Sequence, residues 1–308
     1  MSPSKPTPMT ARSIYRKVNK MKKLLLPLGT LLLTSTAQAH QPVMDMAPRW
    51  EDGYGFQVRH ESYGSDTLLD SDSEIANPLG LERFVDKTWF EGVYTFDRSK
   101  RVTFKIPYIQ QDRIKNIGGA AVKQENSGWG DLILGVPLKL YSNKGAFTQN
   151  FGFTPSLRLP TGSTSGDFPI SDGSTDLGLS FSYSSETPKY YTLFDAFTWI
   201  NTEGERNMRA GNTYGLDVNL GYHPYHDDDT NSGAFVMWDV TARYNDDPSS
   251  GNLTTASGGA RVHTGPLLVL YKDNIMLRTE YKHPLYEKTS GISNSRGSEL
   301  TFGIGITF

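Results

Sequence analysis

The chain has 308 residues, no cysteine, 37% hydrophobic residues and a mean hydropathy of −0.46. Without cysteine there is no disulfide framework, thiolate chemistry or Cys-based metal site, and no body segment approaches the roughly twenty apolar residues of a membrane helix. Seven basic residues (Lys5, Arg12, Arg16, Lys17, Lys20, Lys22, Lys23) and no acidic ones precede position 40; the remainder carries 24 Lys and Arg against 33 Asp and Glu, a net charge of −9 that argues against nucleic acid as a partner.

The N-terminal region reads as a secretory signal over residues 1–39. Met21-Lys22-Lys23 is the charged segment, Leu24 to Leu33 the apolar segment, and Ala37-Gln38-Ala39 an A-x-A cleavage site, with Met21 as an alternative start. Residues 40–53 then form a short periplasmic segment ahead of a β-barrel over 54–308. His40, Met44 and Met46 are donors of the kind copper takes, but no partner histidine lies near them, so no metal site and no cofactor is assigned.

From Gly53 onward, alternating segments recur at regular spacing. Strands are expected near 54–62, 86–96, 101–110, 130–141, 147–159, 174–184, 189–200, 213–223, 233–244, 257–270, 275–286 and 297–308. Twelve is an even number, and most segments approach the roughly ten residues a tilted strand needs to cross a bilayer. The connections alternate in length. Asp97–Lys100, Ser142–Gly145, Ser185–Pro188 and Tyr271–Asn274 are short and rich in turn residues, with Pro224–Ser232 somewhat longer; 63–85, 111–129, 160–173, 201–212, 245–256 and 287–296 are long. That parity puts every short turn on the periplasmic side and every long loop outside. A soluble sandwich has no reason to sort its loops this way.

The faces agree. Val102, Phe104, Ile106 and Tyr108 share one face, as do Leu132, Leu134, Val136, Leu138 and Leu140, then Leu177, Leu179, Phe181 and Tyr183, then Tyr214, Leu216, Val218, Leu220 and Tyr222. The opposite faces direct charge inwards: Lys105, Asp131, Lys139, Asp176 and Asp217 on those strands, and Arg59, Glu61, Glu91, Arg158, Asp195, Asp239, Arg243, Arg261, Arg278, Glu280 and Lys282 on the others. Such groups are candidates for setting solute selectivity. The segment 189–200 is apolar on both faces, and Asp195 is assigned inwards. In the last strand Leu300, Phe302, Ile304, Ile306 and Phe308 alternate with Thr301, Gly303, Gly305 and Thr307, a strand that would be an aggregation hazard in water and is a closing strand in lipid. Its terminal Phe308 resembles the assembly signal of bacterial outer-membrane proteins.

Three short motifs, Gly128–Gly135 (GWGDLILG), Leu157–Gly162 (LRLPTG) and Asp176–Ser180 (DLGLS), occur in that order. They resemble the outer-membrane family labelled "putative meta-pathway of phenol degradation". The resemblance spans roughly 50–308. It implies an outer-membrane barrel that passes small, often aromatic or apolar, compounds, and it brings no catalytic residues. The larger long-chain fatty-acid transporters are a more distant comparison, and the short 40–50 segment leaves little chain for a plug like theirs.

Each residue singled out has a plainer reading. Asp131 is either a lumen acid near a constriction or a partner for Lys139 or Arg158, and mixed charges inside a modest barrel favour pairing. Pro160-Thr161-Gly162 ends a strand with a residue that donates nothing to the ladder. Asp66, Asp70, Asp72 and Glu74 form a solvated acidic loop rather than a calcium loop, since the D-x-D-x-D-G pattern is missing; His226-Asp227-Asp228-Asp229 reads as a soluble turn. Enzymatic motifs are missing: Gly162–Gly166 reads GSTSG with Thr164 at the nucleophile position of G-x-S-x-G, and there is neither H-E-x-x-H nor the His-x-Ser-Asn-Gly stretch of outer-membrane phospholipases. The expectation is therefore an outer-membrane channel for passive uptake. Its partners are membrane lipid, lipopolysaccharide, the barrel assembly machinery and a small solute. A structural or adhesive barrel with a closed lumen is second, and a lipid or ester hydrolase last.

Overall fold

The computed structural model describes residues 50–308 apart from 167, 252 and 255. The signal assigned to 1–39, nearly all of the 40–53 segment, and His40, Met44 and Met46 lie outside the described residues. Twelve long strands follow: β1 (Gly53–Ser65), β2 (Glu82–Asp97), β3 (Lys100–Ile117), β4 in three pieces (Ala120–Trp129, Leu132–Gly135, Leu138–Lys144), β5 (Phe147–Leu159), β6 (Asp176–Glu186), β7 (Tyr190–Ile200), β8 (Thr213–Asp227), β9 (Ser232–Asn245), β10 (Gly259–Lys272), β11 (Ile275–Thr289) and β12 (Glu299–Thr307).

Each strand pairs antiparallel with the next, and β12 returns to β1 with Gly55 opposite Thr307 through Tyr63 opposite Glu299. Tyr54 and Phe308 finish the seam by exchanging backbone hydrogen bonds of 2.6 and 2.9 Å, and their rings stack with centroids 6.0 Å apart. The sheet is a closed barrel without an edge. Along β12, Thr301 and Thr307 are buried while Leu300, Phe302, Ile304 and Ile306 are exposed on the outer wall. Phe104, Leu134, Leu140, Phe181, Leu216 and Leu220 continue that outer band on other strands. So large an apolar surface is stable facing hydrocarbon and not water.

Short turns close one end of the barrel. In the β2–β3 turn, Asp97 Oδ1 accepts from the Ser99 amide at 2.7 Å and the Lys100 amide at 3.0 Å, the local side-chain bonding that makes Asp a turn former. The β11 turn starts at Asp273 with φ of 52°. At the other end, the loop after β1 pairs with the loop after β11: Leu68–Asp70 lies between Ser73–Ile75 and Ser293–Asn294.

Two features depart from the sequence reading. The stretch 111–129, expected as a long loop, is a protruding hairpin in which Tyr108 opposite Trp129 runs to Ile117 opposite Ala120. Gly118 and Gly119 turn it at φ of 61° and 90°, the left-handed conformations a two-residue hairpin turn demands. Outside the membrane neither face of this hairpin needs to be apolar, so period-2 hydrophobicity carries no sign of it. β4, expected as one strand over 130–141, is interrupted twice. The Gly130 amide bonds the Pro107 carbonyl at 2.8 Å, and a Cβ there would meet Pro107 Cγ at 2.8 Å. Pro137 has no N–H to give the ladder, and its carbonyl accepts from the Arg101 amide at 3.1 Å.

The lumen is not uniformly polar either. Tyr191, Phe235, Met237, Leu267, Val269, Tyr271 and Met276 form a buried apolar cluster on the inner faces of β7 and β9–β11, in the half nearer the short turns, with Leu193 packed against it. Replacing Ile304 by Arg on the lipid face is expected to destabilise the barrel by about 2–4 kcal/mol if the position lies near the bilayer midplane; urea unfolding of the protein in lipid vesicles measures this.

Candidate functional site

The inner face carries a chain of ion pairs along β1–β3 and β8–β12. Arg59 bonds Glu91 through Nε (3.0 Å) and Nη2 (2.8 Å) and approaches Glu61 at 3.5 Å. Glu91 also faces Lys105 at 3.8 Å, and Glu61 accepts from Trp89 Nε1 at 3.2 Å and Arg296 at 3.1 Å. Further round, Arg278 pairs with Glu280 at 3.2 Å, and Lys282 joins Glu280 (3.3 Å) to Asp239 (2.8 Å). Arg243 holds Asp217 at 2.6 Å. The strand period places these groups on one side of the sheet, and the antiparallel registers set the acids and bases opposite one another: Gln57 and Arg59 face Glu91 and Trp89, and Glu91 faces Lys105.

These residues border a lumen cavity of about 820 Å³, running from Tyr141 and Glu186 near the short turns to Asn245 and Glu299 near the long loops. The opposite wall, on β5 and β6, is hydroxyl-rich: Thr154, Ser156, Ser180, Ser182 and Ser184 line it. Asp195 on β7 accepts from Ser180 at 2.6 Å and stands opposite Asp217 in register. Lys139, Arg158 and Arg261 also border the cavity.

Asp131 and Asp176, expected as lumen groups, do not line the cavity. Asp131 lies in the first break of β4, where strand parity no longer applies. Its carboxylate accepts from the Gly162 amide at 2.9 Å and from Ser171 Oγ at 2.8 Å, so it ties down the loop after β5. Asp176 is 1% exposed in the wall, where it accepts from Arg158 at 3.0 Å, Ser174 Oγ at 2.8 Å and the Thr202 amide at 2.9 Å. Conversely Lys87, Trp89, Arg101, His263, Arg296 and Glu299 line the lumen without having been singled out. Lys87 and Trp89 share the parity of Glu91, so extending that strand upward would have found them. Arg296 sits in a connection, where no periodicity marks which way it points.

The outer loops are knitted by carboxylates. Asp247 Oδ1 accepts from the Ser257 amide at 3.1 Å, the Gly258 amide at 2.7 Å and the Ser290 hydroxyl. The loop after β5 leans on the hairpin, with Arg113 3.6 Å above the Phe168 ring and Asn126 Nδ2 donating to the Phe168 carbonyl at 2.8 Å. Among the described residues no group of three or more His, Cys, Asp or Glu is placed to hold a metal ion. Two hydroxyl–imidazole contacts stand on the outer wall among the described residues: Thr88 Oγ1 is 3.2 Å from His60 Nδ1, and Ser298 Oγ is 3.3 Å from His283 Nδ1 and accepts from Tyr281 at 3.1 Å.

A closed twelve-stranded barrel with an apolar outer band and a charged lumen defines an outer-membrane, channel-like protein. The chain belongs to the family described as "Putative MetA-pathway of phenol degradation", whose model matches residues 79–288. Among solved structures it is similar to the COG4313 outer membrane channel from Pseudomonas putida F1, with a TM-score of 0.68 and 14% identity over 90% of this chain and 100% of that one. At that identity the likeness is one of fold. The beta domain of the Bordetella autotransporter BrkA (TM-score 0.46, 10% identity, 84% of this chain and 100% of that one) and the NanC porin (0.42, 13%, 82% and 98%) are also similar. No curated protein matches the sequence.

The Ser290 hydroxyl and the Gly258 and Ser257 amides hold the Asp247 carboxyl below its ordinary value of 3.8. A depressed folded-state value stabilises the loop above the ordinary value, and the contribution is lost as pH falls through the lower one. Amide-exchange protection factors at Ser257 and Gly258 are therefore expected to be high at neutral pH and to fall in strong acid. Asp247→Asn should weaken them at neutral pH.

Proposed function

We propose that this barrel is a channel of the bacterial outer membrane that admits small amphipathic organic solutes, aromatic ones included, without catalysis. The observation that carries the reading is the mixed lining of one cavity: ion pairs on β1–β3 and β8–β12, with the apolar side chains Trp89, Tyr191, Leu193, Phe197 and Trp199 beside them. A solute with a polar group and an apolar body finds a partner for each along that path. The cavity of about 820 Å³ is of the size small-molecule sites have. Contact with lipopolysaccharide through the long loops, and insertion by the barrel assembly machinery with Phe308 as the recognised residue, belong to the same reading.

Conductance of the folded barrel in a planar bilayer tests it, with aromatic acids and neutral phenols as competing solutes. Stable current steps that these solutes block are expected. A folded barrel that carries no current would remove the open channel and leave a structural barrel with a closed lumen. A second reading, an outer-wall ester hydrolase, has Ser298 and His283 behind it. Among the described residues no acid orients the other nitrogen of His283, as a triad requires. A fluorophosphonate probe is expected to label neither the unsubstituted protein nor Ser298→Ala; labelling confined to the former would support the hydrolase.

A further inference from the structure

We infer that the outer end of the lumen holds a binding site for a small organic carboxylate, centred on Arg261. The inference rests on the channel reading for its purpose, not for its binding. A second cavity of about 190 Å³ lies beside the mouth, between the upper ends of β10 and β11 and the loops that follow β1 and β11. Arg261 lines both this cavity and the lumen.

Arg261 differs from its neighbours in being uncompensated. Among the described residues its guanidinium has no ion pair and no hydrogen bond. Its cross-strand partner on β9 is Arg243, a like charge, and on β11 it is Glu287. Like charges directly opposite destabilise a sheet. Glu287 does not relieve this, because it is already engaged: Oε1 accepts from the Arg296 amide at 3.1 Å and lies 3.5 Å from His263, while Oε2 accepts from the Ser295 hydroxyl. Arg243 is held by Asp217, and Arg296 by Glu61 and Glu299. Around the small cavity Arg83, Arg261, Lys288 and Arg296 face the single acid Glu287.

A guanidinium does not shed its proton in a protein, so an uncompensated one in a walled cavity is relieved by an anion and not by neutralisation. Its planar fork matches a carboxylate with two parallel hydrogen bonds. Leu69 and Ala260 give the same cavity apolar surface for the rest of the ligand, and the volume accommodates one ring or a short chain. The site would gather carboxylates at the mouth and release them to the cations below.

Calorimetric titration of the folded protein in detergent at low salt tests the site, using benzoate, its neutral isostere benzamide, and inorganic phosphate. Benzoate is expected to bind at least about tenfold more tightly than benzamide. Arg261→Gln should weaken benzoate about tenfold or more, and Arg261→Lys by less. Benzoate should also shield Arg261 from phenylglyoxal in the unsubstituted protein, read by peptide mass spectrometry, which decides the matter should the variants not fold. Equal binding of benzamide, unchanged binding in a folded Arg261→Gln barrel, or no shielding would overturn the proposal. Phosphate binding more tightly than benzoate would overturn it in favour of a phosphate-bearing headgroup. A barrel that binds benzoate through Arg261 but carries no current keeps the site and loses the channel; one that conducts without such binding loses the site alone.

Discussion

The antiparallel pairing of β1 with β12 is the constraint on which the rest of the molecule depends. In hydrocarbon an unpaired backbone N–H or C=O costs several kcal/mol, so a sheet crosses a bilayer only when its ends meet. Gly55 through Tyr63 meet Glu299 through Thr307, and Tyr54 and Phe308 close the last bonds of the seam. Closure fixes which residues face inward on every strand, since each register is inherited from the one before. The lumen is a consequence of that closure.

Inside, the competing demands are charge and volume. An isolated ion away from water is costly, and ion pairs recover that cost only with good geometry. The barrel meets this by bringing acids and bases together both along a strand and across strands: Arg59 with Glu91 on the next strand, Lys282 with Glu280 on its own strand and Asp239 two strands away, Arg243 with Asp217 on the next strand. The charges form chains along the wall, which leaves the centre open. Eleven Arg and Lys against eight Asp and Glu border the lumen, so the wall retains a small positive excess in a protein whose chain beyond position 39 is strongly negative. Arg261 is where that excess forms no ion pair among the described residues.

The loops are organised separately. Asp131, Asp247 and Asn77 each collect several hydrogen bonds within or between outer connections; Asn77 alone donates to the Asp66 and Leu81 carbonyls and accepts from the Leu81 amide. Short polar side chains of this kind replace the ladder where the strands end. The mouth is shaped by these bonds, and its small cavity lies between connections far apart in sequence.

The sequence by itself determined the architecture: strand number, loop parity, the outer apolar face and the inward orientation of most lumen charges. Period-2 alternation against lipid is a purely local signal, and a misplaced charge there is costly enough to enforce it. Tertiary structure alone decided what happens where that pressure is absent. The hairpin over 111–129 lies beyond the membrane, where polar strands and loops look alike. Asp131 left the lumen because it lies in the break at Gly130, where the register slips by one residue between Trp129 opposite Tyr108 and Ile133 opposite Lys105. The apolar cluster around Met237 and Leu267 was unforeseen because an inward apolar residue and a lipid-facing one have the same composition and differ only in register. Which acid each base meets, and that the Arg261 guanidinium forms no ion pair among the described residues, depends on the stagger of neighbouring strands and on where Arg296 and Ser295 of a distant loop come to rest.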